Sequence, residues 1–233
     1  MEGLNGIIQN NYSKIQSRIK AACLRCQRNS ESVTLVAVTK YAQMEWVKIL
    51  LELGCTHLGE SRTQQLNERA AMLPDDLHWH FIGPLQRNKV RRTILNSSLI
   101  HSVDSLKLLS TIDRIAAECG LQPHVLIEVN LAGEENKKGF SKADLLANWA
   151  SIYTASHVCI DGLMTMAPHH QDPELARPVF HELSELRSQL QASSPAKIQL
   201  KELSMGMSGD FEVAIEEGAT LVRIGSALYE GLK

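Results

Sequence analysis

The stretch Val33-Thr34-Leu35-Val36-Ala37-Val38-Thr39-Lys40 reads as a strand that is apolar from 35 to 38 and then turns polar, ending on a threonine and a lysine. Near-continuous apolar character of this kind belongs to a strand buried on both faces, as in a parallel sheet. Seven more short apolar runs follow, at 56–59, 77–82, 99–103, 125–131, 158–166, 198–203 and 220–224. Between runs the spacing becomes helical, as in Trp46, Ile49, Leu50 and Leu53, or Phe180, Leu183, Leu186 and Leu190. Eight strand-helix units in about 200 residues fit a single compact (β/α)8 barrel of the α/β class. The competing open, doubly wound sheet often carries a Gly-x-Gly-x-x-Gly turn after its first strand, and none occurs here.

Ahead of the barrel, Leu4, Ile8, Ile15, Ile19 and Ala22 recur at helical spacing. Residues 1–30 are therefore expected as a helix packed on a barrel of residues 31–233, one domain overall. The 233 residues are 44% hydrophobic and 21% charged, an ordinary globular balance. Twenty-four Lys and Arg against 26 Asp and Glu leave a net charge of -2, which offers no footprint for a polyanion, so nucleic acid is not an expected partner. No run approaches the ~18 apolar residues of a membrane helix, and the start has no signal-peptide core. The expectation is a soluble, cytoplasmic monomer. Five cysteines at irregular spacing suit a reducing compartment, and the Cys23-x-x-Cys26 pair has no second pair at metal-ligand distance.

Barrels of this kind carry their chemistry where strands end, at the C-terminal rim. Strand alternation puts Lys40 on the same face as Val38 and Val36, aimed at the barrel mouth. A lysine among apolar neighbours loses some of its proton affinity and becomes a nucleophile toward aldehydes, forming a Schiff base. Two Gly- and Ser-rich loops, Ser204-Met205-Gly206-Met207-Ser208-Gly209-Asp210 and Gly225-Ser226, follow the last two strands and precede expected helices. Free amides at helix starts favour a phosphate, and this is the customary phosphate position of the barrel. Closure pairs strand eight with strand one, so an aldehyde-reactive amine would adjoin a phosphate cradle. Arg223 shares a face with Gly225 and points to the same space, either to a bound ligand or to a structural ion partner. Lys137 and Lys138 are rival rim amines. His78 and His80 flank Trp79 on one strand face and read as core or surface histidines, and the basic run Arg87, Lys89, Arg91 and Arg92 reads as a solvated face.

Taken together, Val36-Ala37-Val38-Thr39-Lys40, Gly59-Glu60, Trp79-His80-Phe81-Ile82-Gly83, Gly162-Leu163-Met164-Thr165-Met166, 204–208 and Val222-Arg223-Ile224-Gly225 resemble the pyridoxal phosphate homeostasis protein family, relatives of the N-terminal barrel of alanine racemase. The resemblance implies pyridoxal 5'-phosphate as cofactor, joined to Lys40. Its phosphate would lie on Ser208, Gly209, Gly225 and Ser226, and its pyridine nitrogen on Arg223. Ser61 departs from the asparagine the family usually shows after Gly-Glu, and a serine there reaches the ring through water.

Arginine is only a donor, so an Arg223 contact leaves the pyridine nitrogen unprotonated and the ring a poor electron sink. Two-base racemisation needs a group that alanine racemases supply from a further domain, for which a chain ending at Lys233 has no room. The expected role is therefore a carrier or regulator of pyridoxal phosphate in vitamin B6 homeostasis and amino-acid and keto-acid balance, serving small molecules, amino acids or cofactor-requiring apoenzymes. A racemase of low activity is the alternative, and a Schiff-base aldolase the third reading.

Overall fold

In a computed structural model, which describes residues 3–133, 138–168 and 170–232, eight parallel strands close into a barrel in sequence order. They are β1 (Thr34–Val38), β2 (His57–Glu60), β3 (His78–Phe81), β4 (Leu99–Val103), β5 (His124–Glu128), β6 (Cys159–Met164), β7 (Glu202–Ser204) and β8 (Leu221–Ile224). The helices are α1 (Leu4–Arg25), α2 (Met44–Glu52), α3 (Thr63–Ala70), α4 (Val90–Ile94), α5 (Leu106–Cys119), α6 (Lys142–Ile152), α7 (Arg177–Ala192) and α8 (Phe211–Glu216).

Strand alternation divides the apolar residues into two cores. Leu35 and Ala37 of β1 face outward and join the large layer between barrel and helices, with Leu50 of α2, Leu66 of α3, Ile112 of α5 and Phe180 of α7. Val36 faces inward, where it meets Leu99, Leu126, Met164 and Leu221 in a small separate cluster. That inner cluster is short of side chains because polar residues occupy much of the interior: His80, His101, Ser204 and Arg223 are all buried.

The expected N-terminal helix is α1, which buries Ile8, Ile15, Ile19, Ala22 and Cys23. It lies across α8, with Arg18 paired to Glu212 at 2.7 Å and Arg25 to Glu216 at 2.6 Å. Strand seven starts later than its apolar run. The side chain of Gln191 on α7 donates to Ile198 O (2.9 Å) and accepts from Leu200 N–H (2.7 Å), taking up backbone groups that a longer strand would pair.

Candidate active site at the barrel mouth

Lys40 follows β1 by two residues and is half-buried. It lines a cavity of about 660 Å³ together with Ser61, Ser208, Gly209, Arg223, Gly225 and Ser226. Tyr41, Trp46, Ile82, Met166, Met207 and Tyr229 make up most of the remaining wall. The size is that of a small-molecule site. All seven residues singled out from the sequence therefore meet in one place. Strand pairing is the cause: Ala37 of β1 stands opposite Ile224 of β8, so the next residues, Val38 and Gly225, touch. A Cβ on Gly225 would come within 3.3 Å of the Val38 Cβ, so the glycine lets the two rims close up.

The two Gly- and Ser-rich loops converge. Ser208 Oγ accepts from the N–H of Gly225 (3.3 Å) and of Ala227 (3.2 Å), which ties the two loops together at one corner of the cavity and leaves the serine's own proton to donate. Gly206 takes φ +91°, and a side chain there would also strike the Ala214 Cβ at 2.6 Å, so the turn that delivers Ser208 requires glycine. At Gly209 nothing stands within 4 Å of where a Cβ would be. The helices expected after these loops are short. Helix α8 has six residues and Ser226–Leu228 is a single 3-10 turn, so local N–H groups rather than a long aligned dipole make the corner attractive to an anion.

Arg223, buried inside the barrel, donates through Nη1 to Ser204 Oγ (2.5 Å) and through Nη2 to Thr165 O (3.0 Å). Burial lowers its pKa to about 10, opposed by the charges of Asp210 and Glu128, and it remains a cation at neutral pH. Glu128, at the end of β5, is buried as well; burial first and Asp104 second raise its carboxyl to about 7, against the pull of Arg223 and Lys138.

A supporting pair went unread in the sequence. Arg69 on α3 donates to Glu60 Oε1 (2.5 Å), to Thr39 O (2.7 Å) and to Ala42 O (2.6 Å), thereby gripping the loop on both sides of Lys40. Thr39 Oγ1 donates to the same Glu60 oxygen at 2.6 Å. Helical spacing offered a signal, since Arg69 falls three residues after Leu66, on the buried face of α3.

Of the rival amines, Lys138 sits 3.7 Å from Asp104 and is not among the cavity's lining residues; Lys137 lies outside the described residues. Arg87, Lys89, Arg91 and Arg92 are exposed, with Arg91 paired to Glu118. Cys23 is a buried core residue and Cys26 a half-buried one, both with free thiols. No helix among the described residues is long and apolar enough to cross a membrane.

A family model described as the alanine racemase N-terminal domain matches residues 8–233. The pyridoxal phosphate homeostasis protein of Aquifex aeolicus is 41% identical over 218 residues, which cover 93% of this chain and 95% of that protein. This chain belongs to the pyridoxal phosphate homeostasis protein family. A solved structure of similar shape is PipY of Synechococcus elongatus with PLP bound, 37% identical with a TM-score of 0.80, covering 92% of this chain and 99% of that one. An alanine racemase of Clostridium difficile shares the fold, with a TM-score of 0.73 at 17% identity; the match covers 95% of this chain and 56% of the racemase. The closed barrel seen here places one strand on each of the eight apolar runs of the sequence.

Proposed function

We propose that this chain binds pyridoxal 5'-phosphate in the barrel-mouth cavity and serves to carry or regulate it, with Lys40 as the covalent attachment point. The observation behind this reading is that one cavity unites a primary amine, a corner where the serines and glycines of two loops meet, and an arginine. Those groups fit the three ends of the molecule. Lys40 suits the aldehyde; Ser208, Gly209, Gly225 and Ser226 suit the phosphate; Arg223 suits the pyridine nitrogen, and Ser61, directly after β2, would be the wall residue left for the ring. When bound, the cofactor supplies an aldehyde that condenses with primary amines and a ring that withdraws electrons.

The residues themselves argue for holding over turning over. Arg223 has only N–H donors to offer, so with the cofactor bound it would keep the ring nitrogen unprotonated and the ring a weaker electron sink. Tyr41 and Met166 on the cavity wall are 77% and 40% exposed, so water reaches the site, and a wet site loses the strengthened electrostatics that catalysis needs. Small amines and cofactor-requiring apoenzymes are the partners such an open site would serve, and the protein is expected to act as a monomer.

Borohydride reduction of the protein loaded with pyridoxal phosphate, followed by peptide mass mapping, tests the attachment. The cofactor mass is expected on Lys40, and Lys40→Ala is expected to lose it; a mass found mainly on Lys137 or Lys138 would refute the assignment. Transfer to an excess apoenzyme, measured beside amino-acid turnover, tests the role. Lys40-dependent turnover in the ordinary enzymatic range of ~1 to 1,000 per second would overturn the carrier reading.

A further inference from the structure

Three histidines cross the barrel interior in a line that the cavity's function has not yet used. His57 Nδ1 lies 2.9 Å from His80 Nε2, His80 Nδ1 lies 2.8 Å from His101 Nε2, and His101 Nδ1 lies 2.8 Å from Ser204 Oγ. Ser204 Oγ in turn receives Arg223 Nη1–H at 2.5 Å. The line therefore runs through the inward faces of β2, β3, β4, β7 and β8, from a half-buried histidine to the arginine on the cavity wall. His80 is 3% exposed, and His101 and Ser204 are fully buried.

We propose that Ser204, His101, His80 and His57 form a one-way hydrogen-bond chain that positions the Arg223 guanidinium toward the cofactor cavity. The proposal rests on the reading of Arg223 as the partner of the pyridine nitrogen. Its direction follows from donor and acceptor chemistry. Arginine has no acceptor, so Arg223 must donate and Ser204 Oγ must accept. Among the described residues the other partner of Ser204 Oγ is His101 Nδ1, and the hydroxyl's own proton is satisfied only by donating there. A neutral imidazole that accepts at Nδ1 carries its proton at Nε2. His101 then donates to His80 Nδ1, His80 donates through Nε2 to His57 Nδ1, and His57 keeps its Nε2 proton for the outside. The charge state is consistent, because burial holds His101 well below the usual histidine range, His80 near 3 and His57 near 4. One donor-only group at the end of the line thus sets the tautomer of all three rings. In return, the line turns a serine lone pair toward Arg223 and confines the guanidinium between Ser204 Oγ and Thr165 O.

The first test is histidine nitrogen NMR on the wild-type protein without cofactor, each ring being assigned by its loss in single His→Gln variants. All three rings are expected as neutral Nε2–H tautomers, and a protonated Nδ1 on His80 or His101 overturns the chain by itself. The second test compares dissociation constants for pyridoxal phosphate and for its analogue with C–H in place of the ring nitrogen. The wild type is expected to prefer pyridoxal phosphate, and Ser204→Ala to reduce that preference by about tenfold through lost orientation of a charged donor. His101→Phe should erode the same preference while affinity for the analogue stays within about twofold of wild type. If the wild type prefers pyridoxal phosphate and Ser204→Ala keeps the full preference, the positioning role is refuted. Equal wild-type affinity for both ligands would refute the nitrogen contact of Arg223, and the positioning proposal with it; the tautomers would still be as stated, which separates that failure from a failure of the chain.

Discussion

Glu128 is a carboxyl whose burial the fold sustains at a cost that depends on pH. Its pKa stands at about 7 against an ordinary 4.5, with burial the main cause and Asp104 the second. A group that holds its proton more tightly when folded than when unfolded stabilises the protein fully below the unfolded value. That contribution is lost as pH rises from 4.5 to about 7, and nothing further is lost above. At ~1.4 kcal/mol per pH unit, the ionised carboxyl costs the folded state about 3 kcal/mol at pH 8. Glu128→Gln keeps the shape of the protonated acid and removes the charge. The variant is expected to be about 3 kcal/mol more stable than wild type at pH 8, about 2 kcal/mol near pH 6, and close to equal below pH 4.5. Urea denaturation of the unliganded protein across this range, at constant ionic strength, measures the difference. A stability gap that does not change with pH, or a wild type that gains on the variant as pH rises, would refute the reasoning.

Arg69→Ala should cost about 3–5 kcal/mol, because it strands the buried Glu60 carboxylate and frees the Thr39 and Ala42 carbonyls beside Lys40; calorimetry shows the loss, and slower cofactor attachment at Lys40 shows its effect on the site. Gly162→Ala would place a Cβ 1.8 Å from Glu202 O across the β6–β7 pair, so the protein should fail to fold stably, as circular dichroism and solubility will show. Gly209→Ala meets no atom within 4 Å and should keep wild-type stability, while a side chain added to this cavity-lining residue is expected to weaken phosphate-dependent binding by about tenfold, read from the dissociation constants of pyridoxal phosphate and unphosphorylated pyridoxal.

Much of this protein was legible one residue at a time. Parallel strands buried on both faces leave unmistakable apolar runs, so the eight strands and the more strongly periodic helices among them are legible in the sequence. Lys40 could be read because it ends such a run, and the 204–210 and 225–226 loops because glycine and serine cluster where barrels bind phosphate. The short strand β7 could not, since its start is decided by a glutamine on another element. Nor could the grip of Arg69 on the Lys40 loop, which joins residues 27 and 30 positions apart. The histidines show the division most clearly. His57, His80 and His101 stand on three different strands, and each alone is an ordinary strand residue, the first half-buried and the other two buried; inward-facing positions on neighbouring strands become hydrogen-bonded only when the barrel closes and sets their register. Local periodicity is a property of the chain and survives in its sequence, whereas the distance between polar atoms on separate strands is a property of closure alone.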